Sequence, residues 1–188
     1  MILYDKATQC TGLQQEYKLR VITPEDNISM AEVIRTVSAE YGLSADKGYS
    51  VADPSLDTLS EQYQASDACY WIIEKEGELL GGGGIAPLAM NTAVINTMDK
   101  PSRSLGRVCE LQKMYFNQSL RGKGFAKRLT YLALDFAREQ GFNFCYLETT
   151  AELNNAVKLY ESVGFKHLDS RLGDTGHDAC EIPMLLKL

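Results

Sequence analysis

The residues best suited to chemistry lie in the run NQSLRGKGFAKR, positions 117–128. Gly122 and Gly124 stand just before a stretch that carries Phe125, Leu129, Leu132, Ala133 and Phe136 at the spacing of one helical face. The first-turn N–H groups of a helix have no intrahelical partner and lie at the positive end of its dipole. Glycines before that turn remove side chains that would keep a ligand away from it. The unit reads as an anion cradle suited to a phosphate or pyrophosphate. Arg121, Lys123, Lys127 and Arg128 crowd the same turn in a chain of net charge −6. Basic residues clustered on an acidic protein favour a specific anionic ligand over general stickiness.

Three loop chemistries compete for this segment. A Walker A loop needs Lys-Ser or Lys-Thr after its last glycines, and here Phe125 and Ala126 follow. A dinucleotide fingerprint needs three spaced glycines early in a βαβ unit, and this chain has two, late. The third pattern is Arg-x-x-Gly-x-Ala, filled by Arg121, Gly124 and Ala126. The plain alternative is a helix entered through a glycine turn.

The elements that must position this loop follow from periodicity. A strand over 108–116 feeds it, and the helix behind it ends before Gly141, which suits a left-handed cap. Upstream, a strand over 17–22 precedes a helix over 25–41, opened by Thr23 and Pro24 and stopped by Gly42. A second helical stretch covers 53–64. Strands over 68–74 and 78–88 flank the hairpin signal Glu76-Gly77. The second of these strands contains four glycines at 81–84, which mark either a bulge with tight packing or room for a ligand. Residues 91–104 read as a long loop, of the kind that is often a binding loop or a mobile one. Downstream come a strand over 143–149, a helix from 150 or 151 to about 162, and strands over 165–168 and 180–188. Hairpins mixed with crossover helices give an α/β (α+β) chain with helices on both faces of a mixed sheet.

Composition bounds the function. At 188 residues, 45% hydrophobic and 23% charged, the chain is expected to form one domain over 17–188 with an extension at 1–16. Its acidic balance argues against nucleic acid or an anionic membrane as partner, and no apolar run approaches a membrane span. Five cysteines without a CxxC pair give neither a disulfide framework nor a metal pattern. Cys69, Cys109 and Cys145 lie in apolar runs and read as buried thiols, which places the chain in a reducing, cytoplasmic compartment.

A second motif joins the loop. Residues 159–165, LYESVGF, follow the fifth predicted strand. Together with the Arg-x-x-Gly-x-Ala loop and the order of elements, this run resembles the GNAT (Gcn5-related) N-acetyltransferase superfamily, small bacterial-type members in particular. The resemblance covers residues 17–188 and is strongest over 110–165. It implies the GNAT fold, a mixed, mostly antiparallel sheet with helices on both faces and splayed central strands. It implies an acetyl-CoA-dependent N-acetyltransferase that acts by direct transfer in a ternary complex. The acceptor would be a primary amine of a small molecule, without metal and with a homodimer common for the fold. The alternatives are a protein N-terminal or lysine acetyltransferase and a non-catalytic acyl-CoA sensor.

The resemblance also assigns residues. The splayed strand would offer backbone groups of Met114, Tyr115 and Phe116 to the pantetheine arm. The amides from Arg121 through Gly122, Lys123, Gly124 and Phe125 to Ala126 would hold the pyrophosphate. Tyr160 would stand near the thioester sulfur as a general acid. Many members place a cofactor-bonding asparagine where this chain has Leu153, and Asn154 or Asn155 would take its part. Glu110 stands eleven residues before Arg121, the separation at which some histone acetyltransferases of the family place their base. A glutamate in an apolar strand gains basicity unless it is paired, and Lys113 or Arg107 would be its partner in a purely structural role. His177 and, less so, His167 are rival bases. In this fold the segment after the first helix commonly walls the acceptor site. Tyr41, Tyr49, Asp53 and Tyr63 are candidates to line it, but surface tyrosines are the favoured reading.

Overall fold

The computed structural model describes residues 17–44, 53–89, 106–172 and 180–188. The first strand, β1 (Lys18–Val21), leads through a short turn to α1 (Asn27–Glu40). A kinked 3-10 segment (Pro54–Tyr63) precedes the hairpin of β2 (Cys69–Lys75) and β3 (Glu78–Pro87). Then come β4 (Val108–Phe116), α2 (Phe125–Glu139), β5 (Phe144–Thr149), α3 (Asn154–Val163), β6 (Lys166–His167) and β7 (Ile182–Lys187). These form one sheet in the order β1-β2-β3-β4-β5-β7-β6. Among its pairs only β4–β5 is parallel, so the sheet is mixed and mostly antiparallel, as the sequence implied.

Strand β2 shows why helices cover both faces. Its run CYWIIEK is apolar at every position from Cys69 to Ile73 because both sides are packed. Cys69, Trp71 and Ile73 join the core under α2 and α3, where Trp71 meets Phe136 edge-on at 5.6 Å between ring centroids. Tyr70 and Ile72 join a second core with Met30 and Ile34 of α1 and Leu56 and Leu59 of the 3-10 segment. Cys69, Cys109 and Cys145 are buried thiols outside any disulfide among the described residues.

The glycine run resolves toward packing. A Cβ at Gly82 would lie 2.5 Å from the Trp71 carbonyl oxygen, and one at Gly83 would lie 2.0 Å from Met114 Sδ. These glycines let neighbours press onto β3; they do not open a space there. Opposite them β4 carries a bulge. Gly84 pairs with Gln112 and Gly82 with Tyr115, so Lys113 and Met114 together oppose Gly83. Lys113 takes a left-handed φ of 49°, and its carbonyl accepts a 2.9 Å bond from the Tyr70 hydroxyl. The extra residue shifts the alternation of the strand. Cys109 and Leu111 face the α2 core before it, and Met114 and Phe116 pack on that same core after it.

Candidate active site

Beyond the pair Glu110↔Tyr146, β4 and β5 no longer pair. β5 instead follows β7 to the Thr149↔Ile182 pair, and β4 follows β3 to Phe116. The two strands splay, and two cavities occupy the gap.

The larger cavity, about 500 Å³, is bounded by Met114, Phe116, Gly122, Gly124 and Ala126 on the loop side and by Asn155 on α3. Gly122 and Gly124 have φ of 73° and 80°, a conformation that L side chains rarely adopt, and open space surrounds the Cβ position of each. Gly124 caps α2 without any side-chain bond. Phe125, Ala126 and Lys127 of the first turn of α2 line the cavity, and the cap before them has no side chain. Arg121 is held in the loop by its own Nε–H bond to the Phe116 carbonyl at 3.0 Å and by Glu40 at 2.5 Å, beside the Tyr41 ring. Lys123 turns its ammonium to the Tyr17 hydroxyl at 2.8 Å and does not line the cavity.

The smaller cavity, about 270 Å³, is lined by Glu110, Gln112, Lys113, Asp53, Glu148 and Thr150. Met114, Tyr115, Leu153, Ala156 and Tyr160 border both cavities, so the two meet beside the Tyr160 ring. Tyr160 is 7% exposed and stacks edge-on with Phe165. Burial holds its hydroxyl well above the usual tyrosine range, which keeps it protonated.

Glu110 is 7% exposed and is paired with neither cation proposed for it. Lys113 reaches Asp53 at 3.2 Å, and Arg107 reaches Asp67 at 2.7 Å. Burial pushes the Glu110 carboxyl up to about 7, and nearby Glu148 adds to the rise. A 2.6 Å bond from Gln112 Nε2 to Glu110 Oε2 works against it. Burial also raises Asp53, but bonds from Ser55 together with Lys113 outweigh it and hold that carboxylate below its usual range. Glu148 accepts from the Tyr146 hydroxyl at 2.5 Å.

Several expectations need correction or placement. Tyr63 is not a surface residue: it is 6% exposed, packs on Tyr70 and donates to Gln112 Oε1 at 2.9 Å. His167 lies half-exposed on β6 at 2.9 Å from Glu161 and borders neither cavity. Tyr49, His177 and the 91–104 loop lie outside the described residues. Gln112, Glu148 and Thr150 were missed. Gln112 had a signal, since it stands two residues from Glu110 and so shares its face of the strand. Glu148 is a lone acid late in the apolar strand FCYLET. No cluster of metal-ligating side chains occurs among the described residues, and none of their helices is long and apolar enough to cross a membrane.

A splayed sheet with an amide cradle at one end and a buried, basic carboxylate at the other has the form of a group-transfer cleft. Residues 36–165, more than half of the chain, match the acetyltransferase (GNAT) family, and the chain belongs to it as an N-acetyltransferase. It is 53% identical over 170 residues to an Escherichia coli protein described as the uncharacterized N-acetyltransferase YjgM, covering 90% of this chain and 94% of that one. The fold matches a GNAT-family acetyltransferase from Staphylococcus aureus with a TM-score of 0.73 at 18% identity, over 92% of this chain and 99% of the other. It also matches the PaiA N-acetyltransferase of Thermoplasma acidophilum, solved with coenzyme A, with a TM-score of 0.64 at 17% identity, over 93% and 100% of the chains.

Proposed function

We propose that the protein transfers the acetyl group of acetyl-CoA to the primary amine of a small molecule, directly, with both substrates bound at once. The observation that carries this reading is the junction of the two cavities at Tyr160, one reached from the amide cradle and the other from Glu110. Coenzyme A in the Thermoplasma relative supports the identity of the donor. The residues present fit that group. Open space around Gly122 and Gly124 leaves the α2 amides accessible to a pyrophosphate, and β4 from Met114 to Phe116, beyond its last pair with β5, suits an amide-bearing arm.

Acetyl-CoA, when bound, supplies an activated thioester carbonyl. Glu110, with its affinity for protons near neutrality, takes a proton from the acceptor ammonium, so that a neutral amine faces the junction. Tyr160, kept protonated by burial, holds a proton at its hydroxyl for the departing sulfur. Most of the acceleration comes from holding both reactants in one cleft. The 270 Å³ of the acceptor cavity supports a small molecule over a polypeptide.

A screen of small amines and peptides for thiol release from acetyl-CoA tests this reading. Small primary amines should turn over, Glu110→Gln should lower kcat by roughly 10²–10⁴-fold, and Tyr160→Phe should lower it by roughly 10²-fold or more. Turnover confined to peptides would overturn the acceptor class. Full activity of both variants would overturn the assigned roles.

A further inference from the structure

The base is not alone on its strand. We propose that Tyr63 and Gln112 form a one-way hydrogen-bond relay that positions Glu110 and holds its charged form ready to take a proton. The proposal rests on the reading of Glu110 as the base and adds two positioning residues to it.

The geometry fixes the direction. The Tyr63 hydroxyl donates to Gln112 Oε1 at 2.9 Å, and Gln112 Nε2 donates to Glu110 Oε2 at 2.6 Å. A primary amide has one acceptor end and one donor end. The flipped amide would set its oxygen against an ionised carboxylate and is therefore repelled. The Tyr63 donor selects the orientation in which the amide N–H points at Glu110. One carboxylate oxygen is thereby committed to the relay, and Oε1 takes no part in it. Short, charge-assisted bonds of this kind are about twice as strong as neutral ones and favour the ionised acid.

The fold is arranged to seat this relay. Gln112 and Glu110 are two residues apart on one face of β4, and the bulge at Lys113 begins directly after them. Gly84 lies opposite Gln112 in the β3–β4 register. A Cβ there would stand 2.6 Å from Tyr63 Cε1 and 2.5 Å from Tyr70 Cδ2, so the Tyr63 ring reaches Gln112 only because position 84 has no side chain. The last glycine of the run thus serves the acceptor side of the cleft through a tyrosine from another element.

Other titratable groups surround Glu110, of which Glu148 and Lys113 act on its charge. Lys113 stands on its own strand, Asp53 and Tyr63 on the 3-10 side, Glu148, Tyr146 and Cys145 on β5, and Cys180 before β7. Gln112 hydrogen-bonds it, and that bond, followed by the Lys113 charge, opposes the effect of burial.

The test follows the Glu110 carboxyl by carbon NMR, with Glu110→Gln to assign its signal. Wild type is compared with Gln112→Met, which keeps an unbranched side chain without the donor, with Tyr63→Phe and with the double variant. Thermal melting and acetyl-CoA binding report on folding. Gln112→Met should raise the Glu110 midpoint by roughly one pH unit, because it removes a hydrogen bond to a charged group. Tyr63→Phe should raise it by about 0.3 and add nothing in the Gln112→Met background, since its effect travels through the amide. The acidic limb of the turnover profile should move with the midpoint, while KM for acetyl-CoA stays constant. An unmoved midpoint in Gln112→Met overturns the relay, as does a Tyr63→Phe effect that persists undiminished in the double variant. If Glu110→Gln loses turnover while the midpoint stays still in Gln112→Met, the base role stands and the relay alone falls. Full turnover by Glu110→Gln overturns the base role, and the positioning role with it.

Discussion

A buried carboxylate whose desolvation outweighs the neighbouring Lys113 charge should cost stability when ionised, and Glu110→Gln tests this separately from catalysis. Burial raises the Glu110 carboxyl from the usual 4.5 to about 7, a rise of roughly two and a half pH units. At 1.36 kcal/mol per unit this is about 3 kcal/mol between the two protonation states. The sign follows from linkage. Between pH 4.5 and 7 the folded protein binds more protons at this position than the unfolded chain. The stability associated with Glu110 is therefore fully present below pH 4.5 and is lost as pH rises through about 7. Glutamine has nearly the same shape and stays neutral at every pH. Glu110→Gln should match wild type at pH 4.5 and exceed it at pH 8 by about 3 kcal/mol, or roughly 6–12 °C in Tm for a chain of this size. Calorimetric melts at the two pH values are the assay. A variant that is equally or less stable than wild type at pH 8, with no pH-dependent gain, would refute the reasoning and indicate that Glu110 is well solvated or paired as an anion.

Other consequences are local. Gly82→Ala places a methyl group against the Trp71 carbonyl and the Tyr70 ring, neither a flexible side-chain end, and should cost about 1–3 kcal/mol in chemical denaturation. Wild-type stability in Gly82→Ala would mean that β3 and β2 are less closely apposed. Lys113→Met removes the cation from Asp53 and should lower stability by about 1–3 kcal/mol at pH 7. Asp53 lies below its usual 3.8, so its contribution is present above that pH and fades as pH falls below it; the gap between Lys113→Met and wild type should close in the same range. A gap that does not change with pH would assign the loss to packing alone.

Most of the fold was legible because its signals are local. The strand 108–116, the helix that follows the two glycines and the hairpin at Glu76-Gly77 depend on alternation, helical spacing and turn chemistry, all carried within short windows. The loop was legible for the same reason. What escaped depends on distant residues meeting. Four glycines in a strand signal that something comes close, but not whether it is a ligand, a carbonyl or a tyrosine from another element. Tyr63 read as a surface residue because its polar, kinked 3-10 segment has no clear apolar period, yet it fills the space beside Gly84. Glu110 stood out from its strand, but its two candidate cations are drawn off by Asp53 and Asp67, which no spacing rule predicts. The face shared by Glu110 and Gln112 was readable from the period of two, and the amide between them and Tyr63 was the missed inference.

The central claim is that the Gly122–Gly124 turn and the α2 amides hold the donor while Glu110 and Tyr160 act at the other end of the cleft. Titration calorimetry of acetyl-CoA separates these ends most directly, with wild type, Gly124→Glu, Glu110→Gln and Tyr160→Phe measured side by side and their folding checked by melting. Wild type should bind, Glu110→Gln and Tyr160→Phe should bind nearly as well, and a carboxylate at position 124, where nothing now stands within 4 Å of the Cβ site, should weaken binding at least 100-fold by meeting a like-charged pyrophosphate. Undiminished binding by Gly124→Glu, or no binding by wild type, would contradict the claim and reduce the glycine turn to a helix start.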